Sequence, residues 1–408
     1  MPATERLYYQ DSHLIEFEAR VVDKTERVSD WTAVTLDRTA FYPTGGGQPS
    51  DTGTLGDARV VECIDDEQNG ILHVIQGRPP AIGTTVKGRV DWPRRLDHMQ
   101  QHTGQHILSQ AFVSLFNAPT RGFRVLEQSC EIDVELANPS AASIERAVGL
   151  ANNVIWEDRP ITIKEVSSAE ASELPLRKEP ARDGELRLIE IEGFDLTPCG
   201  GTHAYCTGEV GIIVVRSWER AKGLTRIEFL AGGRALADYR RANSTARSVA
   251  ALFSAGRDDA AKLATRMHEE NKELHRRMRV LEEVAARVEA AELLANAVPG
   301  PEGVRLVVHV FDHRDAETLK QVALAIINQP QTIALLGSRD SDAARLVFAR
   351  SADAPGDMNA LMREACAMLD GRGGGKPDLA QGGGKNVERL SDAIALSSND
   401  LRTNKDTA

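Results

Sequence analysis

The chain has 408 residues, of which 41% are hydrophobic and 27% charged, as in an ordinary globular protein of several domains. No apolar run approaches the roughly 20 residues of a membrane span, and the N-terminus lacks an apolar signal-peptide core, so we expect a cytoplasmic protein with no membrane partner. The net charge of −11 argues against nucleic-acid binding by the whole surface, though not by a local basic face, and the five scattered cysteines argue against a disulfide framework.

Short apolar runs separated by turn residues dominate residues 1–90. Residues 33–36, 71–75 and 85–90 read as strands, and glycines and prolines lie between them. We therefore predict a small N-terminal β-barrel domain over residues 1–90.

The hydrophobic period becomes helical at about residue 91. Apolar side chains and histidines recur at helical spacing from Leu96 to Phe112, with Asp97 as a candidate N-cap. An amphipathic helix is predicted over 141–156, and strands over 125–136, 161–166, 186–191 and 210–215. Residues 91–240 are thus predicted to form an α+β core.

Residues 241–297 are predicted to form a long polar helix. A heptad pattern runs from Ala264 to Val288, with Asn271 in its seam. Two interpretations fit this pattern: homodimerisation through a coiled coil of residues 264–288, or a long surface helix packed on its own chain.

The segment Val298-Pro299-Gly300-Pro301 breaks the helical pattern and starts a last domain over 298–408. Continuous apolar runs at 304–310 and 332–336 are typical of buried parallel strands, and helical patterns alternate with them at 316–328 and 358–369. We predict a C-terminal α/β domain, and a multidomain α+β protein as a whole.

Two pairs of metal-ligating residue types are the strongest chemical signal in the chain. His102-Thr103-Gly104-Gln105-His106 places two imidazoles on one helix face, and Cys199-Gly200-Gly201-Thr202-His203 supplies a thiolate and a third imidazole. Four such ligands suit tetrahedral zinc, so we predict a Zn²⁺ site made by His102, His106, Cys199 and His203, which is either structural or catalytic. His98 lies one turn before His102 and could be a further ligand or a partner of a ligand, but we favour an ordinary surface histidine. Cys206 is interpreted as a small buried residue and not as a ligand.

A glycine-rich loop is the second signal. Phe41-Tyr42-Pro43-Thr44-Gly45-Gly46-Gly47-Gln48-Pro49 lets the backbone approach a ligand closely, and Thr44 and Gln48 offer polar groups. The loop lacks the Gly-Lys-Ser/Thr of a phosphate-binding loop. Its alternative interpretation is a plain hairpin loop.

These three motifs, in this order, resemble those of the free-standing alanyl-tRNA editing proteins of the AlaX type. They also resemble the editing domain of alanyl-tRNA synthetase and its relative in threonyl-tRNA synthetase. The glycine-rich stretch 371–384 looks like the signature of the DHH-associated domain that closes alanyl-tRNA synthetases and the long-form editing proteins. The resemblance therefore spans the whole chain and identifies it as a long-form member.

The resemblance implies an ATP-independent, zinc-dependent hydrolase that protects translation fidelity by deacylating tRNA(Ala) mischarged with serine or glycine. It implies substrate recognition by Thr44 and Gln48, and mischarged tRNA(Ala) as the partner. Arginines near the predicted site could contact the RNA backbone, namely Arg94, Arg95, Arg121 and Arg124. The sequence departs from the family at Phe123-Arg124-Val125-Leu126, where a Phe-His-Leu-Gly-like stretch is common.

Two other functions remain open at this point. The chain could be a tRNA-binding module with a structural zinc and no turnover. It could also be a zinc hydrolase of another ester or amide, although the His-Glu-x-x-His pattern of zinc proteases is absent.

Overall fold

The computed structural model describes residues 4–26, 32–66, 69–179, 184–300 and 303–403. The chain divides into two compact units, residues 1–248 and 249–408. Within the described residues, no helix is both long and apolar enough to cross a membrane.

The first unit begins with a strand-rich region. Six strands hydrogen-bond in a closed barrel of order β2-β3-β7-β6-β5-β8, in which every neighbouring pair is antiparallel, and the short β1 and β4 pair in parallel beside it. Alternating side chains fill its interior, among them Val21, Leu36, Val60 and Ile75. The strands are β1 (Glu5–Arg6), β2 (Glu16–Glu26), β3 (Thr32–Leu36), β4 (Arg38–Thr39), β5 (Gly53–Leu55), β6 (Ala58–Asp66), β7 (Gly70–Gln76) and β8 (Thr85–Val90).

The long helix α1 (Trp92–Phe116) follows the barrel directly. It starts earlier than the candidate cap Asp97 suggests, because Asp91 precedes a Trp-Pro pair and proline is favoured in a first helical turn. It ends at Asn117, whose left-handed backbone (φ 49°) stops the helix. Almost every side chain from His98 to Phe112 is buried, so α1 is the central element of this unit.

Two antiparallel sheets complete the first unit. A four-stranded sheet has the order β14-β15-β10-β9, a three-stranded sheet the order β11-β12-β13, and the core between α1, α2 and the larger sheet is apolar. The elements are β9 (Thr120–Val125), β10 (Cys130–Val134), α2 (Ala141–Trp156), β11 (Ile161–Ser167), α3 (Ser168–Ser172), β12 (Glu185–Ile191), β13 (Asp195–Pro198), β14 (Ile213–Ala221), β15 (Leu224–Ala231) and α4 (Gly232–Ala251). The single strand predicted over 125–136 is wrong, because a turn at 126–129 divides β9 from β10.

The helix predicted over 241–297 is also divided. The helix α4 ends at Ala251, and α5 (Ala260–Ala295) begins after Ser254, which has a left-handed backbone (φ 54°), and Gly256. One face of α5 carries exposed apolar side chains at heptad spacing, including Met267, Leu274 and Leu281.

The rest of the second unit is a six-stranded sheet flanked by helices, with the strand order β16-β17-β18-β19-β21-β20. The two apolar runs form β17 and β18, which pair in parallel as predicted, and the other neighbours are antiparallel. The elements are β16 (Val298–Pro299), β17 (Arg305–Asp312), α6 (Ala316–Ile327), β18 (Thr332–Arg339), β19 (Ala344–Arg350), α7 (Met358–Met368), β20 (Arg372–Gly375), β21 (Leu379–Gly384) and α8 (Leu390–Thr403).

Candidate metal centre

The structure brings the four predicted metal ligands together in the first unit. His102 and His106 lie one turn apart on α1, and Cys199 and His203 lie on the segment that follows β13. The ligand atoms of these four side chains all lie within 4.8 Å of one another. We refer to these four residues as the ligand cluster.

Hydrogen bonds at Nδ1 orient two of the imidazoles. Nδ1–H of His102 donates to Oε1 of Gln48 (2.7 Å), and Nδ1 of His203 lies 3.3 Å from Oγ1 of Thr103. Because Nδ1 is occupied in both rings, Nε2 is the atom left for a metal.

The third imidazole is held by a buried carboxylate. Nδ1–H of His106 donates to Oδ2 of Asp195 (3.1 Å). The same carboxylate accepts from Nε and Nη2 of Arg177 (2.7 and 3.1 Å) and from the hydroxyl of Thr197 (2.8 Å). Four donors use all the acceptor sites of one carboxylate, so Asp195 is committed to holding His106.

The turn that carries Cys199 is clamped by Arg187 on β12. The backbone carbonyl of Arg187 accepts a hydrogen bond from the N–H of Cys199 (3.0 Å). Nη1 of the Arg187 side chain donates to the carbonyls of Cys199 (2.7 Å) and Gly201 (3.1 Å). Gly201 is required for space: a Cβ there would lie 2.2 Å from Cε1 of His102. The Gly-Gly pair therefore lets the turn pass directly against the first ligand.

Donor chemistry and spacing fit a tetrahedral zinc ion. Sγ of Cys199 lies 3.4 Å from Nε2 of His102 and 3.3 Å from Nε2 of His203. With Zn–S of about 2.3 Å and Zn–N of about 2.0–2.1 Å, tetrahedral geometry would separate sulfur and nitrogen by about 3.5 Å. The three imidazoles are only 3% exposed, whereas Cys199 is half-buried and is therefore the most accessible member of the cluster.

The electrostatics favour the ligating forms of Cys199 and His203, whereas they favour the protonated ring of His106 over the neutral ring that a metal binds. Burial acts to raise the pKa of the Cys199 thiol, but the neighbouring His102 and the hydrogen bonds from His102 and His106 outweigh it and hold that pKa well below its usual range. Burial lowers the pKa of His203 to about 3, so this ring is neutral at physiological pH. Burial also acts to lower the pKa of His106, but the hydrogen bond to Asp195 outweighs it and the pKa is raised.

Comparison with known proteins adds a whole-chain relationship to this geometry. The chain is 34% identical, over 393 residues, to the alanyl-tRNA editing protein AlaX-L of Pyrococcus horikoshii, and the match covers 93% of this chain and 94% of that protein. The chain belongs to the alanyl-tRNA editing protein family.

Alanine–tRNA ligases are similar over the same length. The ligases of Pyrobaculum neutrophilum and Natronomonas pharaonis are 34% and 33% identical, with 97% and 99% of this chain matched. The match covers only 44% of each ligase, so the editing family member corresponds to less than half of those enzymes.

Three domain families match separate parts of this editing family member. They are the tRNA synthetases class II (A) at residues 2–94, the threonyl and alanyl tRNA synthetase second additional domain at 186–228, and the DHHA1 domain at 303–402. The middle match contains Cys199 and His203. The crystal structure of the C-Ala domain from Aquifex aeolicus alanyl-tRNA synthetase is 28% identical, covers 26% of this chain and 96% of that chain, and has a TM-score of 0.24.

The two predicted recognition residues lie in the loop between β4 and β5. Gln48 is buried and bridges the cluster, since its Oε1 accepts from His102 and its Nε2 donates to Thr202 (2.8 Å). Thr44 is exposed, and its Oγ1 accepts from the backbone N–H of Ser50 (3.1 Å). Gln48 thus contacts a member of the ligand cluster directly, whereas the hydroxyl proton of Thr44 has no acceptor among the described residues.

The structure does not support Arg95 as a contact for RNA. Its side chain has no exposed surface and forms an ion pair with the equally buried Asp51. Its other donors bind the carbonyls of Ser12 and Ala40. Arg95 instead joins α1 to the loops around the barrel.

The other three predicted arginines reach the surface. Arg121 and Arg124 on β9 are more than half exposed and pair with Glu135 and Glu131. Arg94 is half-buried, and its Nε donates to the carbonyl of Ser50 (2.9 Å).

Sequence reasoning missed the residues that hold the ligands in place. Asp195, Arg177 and Arg187 carry no local signal, because their roles depend on which strands pair. The interpretation of His98 as a surface histidine is wrong, since it is only 3% exposed. Cys206 lies outside the ligand cluster and is half-buried.

Proposed function

We propose that this chain is a trans-editing hydrolase that deacylates tRNA(Ala) mischarged with serine or glycine at a zinc site. The observation that carries the proposal is the ligand cluster, set in a chain that matches an alanyl-tRNA editing protein over 94% of that protein. A synthetase pocket that accepts alanine excludes glycine or serine by only about 1–3 kcal/mol, so a second hydrolytic site is physically necessary.

The ligand cluster would hold the metal through the Nε2 atoms of His102, His106 and His203 and the thiolate of Cys199. Bound zinc would polarise the ester carbonyl or lower the pKa of a water molecule. The protein's own contribution is orientation: Gln48 fixes the ring of His102 as described above. Cys199 is the most accessible of the four residues, so the aminoacyl ester would approach the cluster from its side.

No free carboxylate is needed as a base in this scheme. Both carboxylate oxygens of Asp195 already accept hydrogen bonds from His106, Arg177 and Thr197. This arrangement favours a role in orienting His106 over a role in proton transfer. Positioning of the ester and the attacking water would then supply most of the rate enhancement.

Thr44 is the proposed selector for serine. Its oxygen accepts a backbone hydrogen bond, which leaves the hydroxyl proton to donate to the serine hydroxyl, and its loop also supplies Gln48 to the cluster. Alanine offers no hydroxyl, so correctly charged tRNA would gain nothing from this contact.

Arg121 and Arg124 are the proposed contacts for the acceptor-stem backbone. Both guanidinium groups are more than half exposed on one strand of the four-stranded sheet. Their partners Glu135 and Glu131 are also at the surface, so phosphate could replace the carboxylates at small cost.

A deacylation assay tests the function directly. Ser-tRNA(Ala), Gly-tRNA(Ala) and Ala-tRNA(Ala) are incubated with the wild-type chain, Cys199→Ala and the matched variant Cys206→Ala. We expect release of serine or glycine but not alanine by wild type and Cys206→Ala, and at least about 100-fold slower release by Cys199→Ala. If the wild type leaves all three esters intact at micromolar concentration, the hydrolase proposal is wrong.

A tRNA-binding module with a structural zinc is the second candidate, because four protein ligands nominally close a tetrahedral shell. It predicts salt-sensitive binding of tRNA without turnover. It also predicts that chelation melts the first unit, since structural zinc contributes on the order of 10 kcal/mol to folding.

Assembly and domain division are proposals as well. We propose a barrel domain (1–90), a zinc-binding core (91–240), a helical segment (241–297) and a DHH-associated-like domain (298–408). We further propose a homodimer through residues 264–288, because the seam of α5 exposes large apolar side chains such as Leu274 (60% exposed) and Leu281 (67%).

A further inference from the structure

A cleft of about 460 Å³ opens beside the first turns of α1, separate from the ligand cluster. Its walls come from the glycine-rich loop, α1, the β9–β10 turn and α4, and include Pro49, Pro93, Arg94, His98, Leu126 and Arg234. The volume lies in the range of small-molecule and cofactor sites.

His98 is the unexplained group in this cleft. It is 3% exposed, yet neither ring nitrogen has a hydrogen-bond partner among the described residues. Burial lowers its pKa to about 4, so the ring is neutral at physiological pH and offers one donor and one acceptor. A buried polar group of this kind normally has a partner, which a bound ligand would supply.

Arg94 is the cation of the cleft whose charge no carboxylate among the described residues neutralises. Its Nε binds the carbonyl of Ser50, and its two terminal nitrogens have no protein partner among the residues described. Arg234, by contrast, donates hydrogen bonds to both carboxylate oxygens of Asp97 and to backbone carbonyls. The Arg234–Asp97 pair is therefore neutral, and the other carboxylate that lines the cleft is the exposed Glu127 of the turn.

The cleft lies about one helical turn from the metal ligands. His98 precedes His102 by four residues on the same face of α1, a rise of about 6 Å. The loop that contributes Pro49 to the cleft also contributes Gln48 to the ligand cluster. A nucleotide chain whose end lies at the ligand cluster would therefore pass through or beside the cleft.

We propose that this cleft binds the nucleotide that precedes the terminal adenosine at the 3′ end of the aminoacylated tRNA. Arg94 binds its phosphate through two charge-assisted hydrogen bonds, and His98 hydrogen-bonds an edge of its base. Pro49, Pro93 and Leu126, which is 41% exposed, pack against the base. This inference rests on the proposed function, because it extends the same substrate by one nucleotide.

Two minimal substrates isolate that nucleotide: 3′-O-seryl-adenosine, which lacks it, and seryl-pCpA, which contains it. Hydrolysis of both is measured with the full chain, with Arg94→Ala, with His98→Ala and with Arg59→Ala. Arg59 is a matched control, an exposed arginine of β6 that does not line the cleft. His98→Gln is added because an amide keeps a donor and an acceptor.

The wild type and Arg59→Ala are expected to prefer seryl-pCpA by at least about tenfold in kcat/KM. Arg94→Ala and His98→Ala lose this preference and still hydrolyse seryl-adenosine at the wild-type rate, which also shows that they fold. His98→Gln recovers part of the preference. A preference that is unchanged in Arg94→Ala and His98→Ala, or equal slowing of both substrates, overturns the inference.

Binding of fluorescein-labelled CpCpA, followed by anisotropy, separates the cleft from the chemistry. If the wild type binds CpCpA about tenfold more tightly than Arg94→Ala does but hydrolyses none of the esters, the assignment of the cleft as a nucleotide site is supported and the proposed function is wrong. If serine is released from the full tRNA while all variants bind CpCpA equally, the function stands and the cleft assignment fails.

Discussion

The buried carboxylate Asp195 offers the sharpest test of how the ligand cluster is held. In Asp195→Asn the amide keeps the shape of the carboxylate but has one acceptor oxygen in place of two. Four donors converge on this side chain, from His106, Arg177 and Thr197, so two of them lose their partner whichever way the amide turns. We expect zinc affinity to fall about 10–100-fold, because the support for His106 is weakened.

The substitution also has a cost in stability that must be separated from the metal effect. Breaking a buried ion pair costs about 3–5 kcal/mol in the free energy of unfolding. Asp51→Asn is a matched control, since Asp51 and Arg95 form a pair with no exposed side-chain surface that does not contact the ligand cluster. Both variants should therefore lose comparable stability.

Zinc affinity is measured by competition with a chromophoric chelator, and stability by denaturant unfolding of the metal-free chain. The expected result is a loss of affinity in Asp195→Asn and an affinity within about threefold of wild type in Asp51→Asn. Equal losses of affinity in both variants would show that general destabilisation, and not orientation of His106, sets the metal affinity.

Three further outcomes follow from contacts in the structure. A Cβ at residue 201 would lie 2.2 Å from an imidazole carbon of the ligand cluster, whereas at residue 200 its nearest atom is 3.3 Å away. Gly201→Ala should therefore lower zinc affinity at least about tenfold and Gly200→Ala should not, as measured with the same competing chelator. Burial lowers the pKa of His73 to about 4, from about 6.5 when unfolded, so the unfolded state binds the proton first. Stability should thus be full above pH 6.5 and fall by about 3 kcal/mol as the pH drops to 4, and unfolding curves of His73→Gln should lack this loss. Sedimentation equilibrium should give a dimer for the wild type but a monomer for Leu274→Asp, which places a charge in the heptad seam. Thr265→Asp, which lies outside the seam, is the control and should remain a dimer. A monomeric wild type would contradict the proposed homodimer.

The two residue pairs of the ligand cluster could be singled out from the sequence because each pair is local. Residues four apart on a helix share a face, and the Cys-Gly-Gly-Thr-His segment carries its own turn residues. The partners that hold the rings could not be predicted in the same way. Asp195 meets His106 across 89 positions of the chain, and only the pairing of β12 with β13 places it there.

Arg95 is a predicted RNA contact that the structure does not support, because its environment also depends on contacts that are distant in the sequence. Together with Arg94 it forms a basic pair at the start of a helix, which favours an RNA contact when only charge is considered. The structure places the two side chains in different environments, one in a fully buried ion pair with Asp51 and the other at the edge of a cleft. Adjacent residues on a helix point about 100° apart, so a run of charge in the sequence does not define a surface.

The glycine-rich stretch 371–384 could serve either of two roles that require the same residue type. An anion-binding nest needs successive right-handed and left-handed residues, whereas close packing needs only the missing Cβ. None of the seven glycines in β20, β21 or the position before β20 has a positive φ. A Cβ at Gly373 or Gly382 would lie 2.6 or 2.4 Å from Sγ of Cys366 on α7. Glycine is therefore needed here so that α7 can pack directly on the β20–β21 hairpin, and the motif is explained without a bound phosphate.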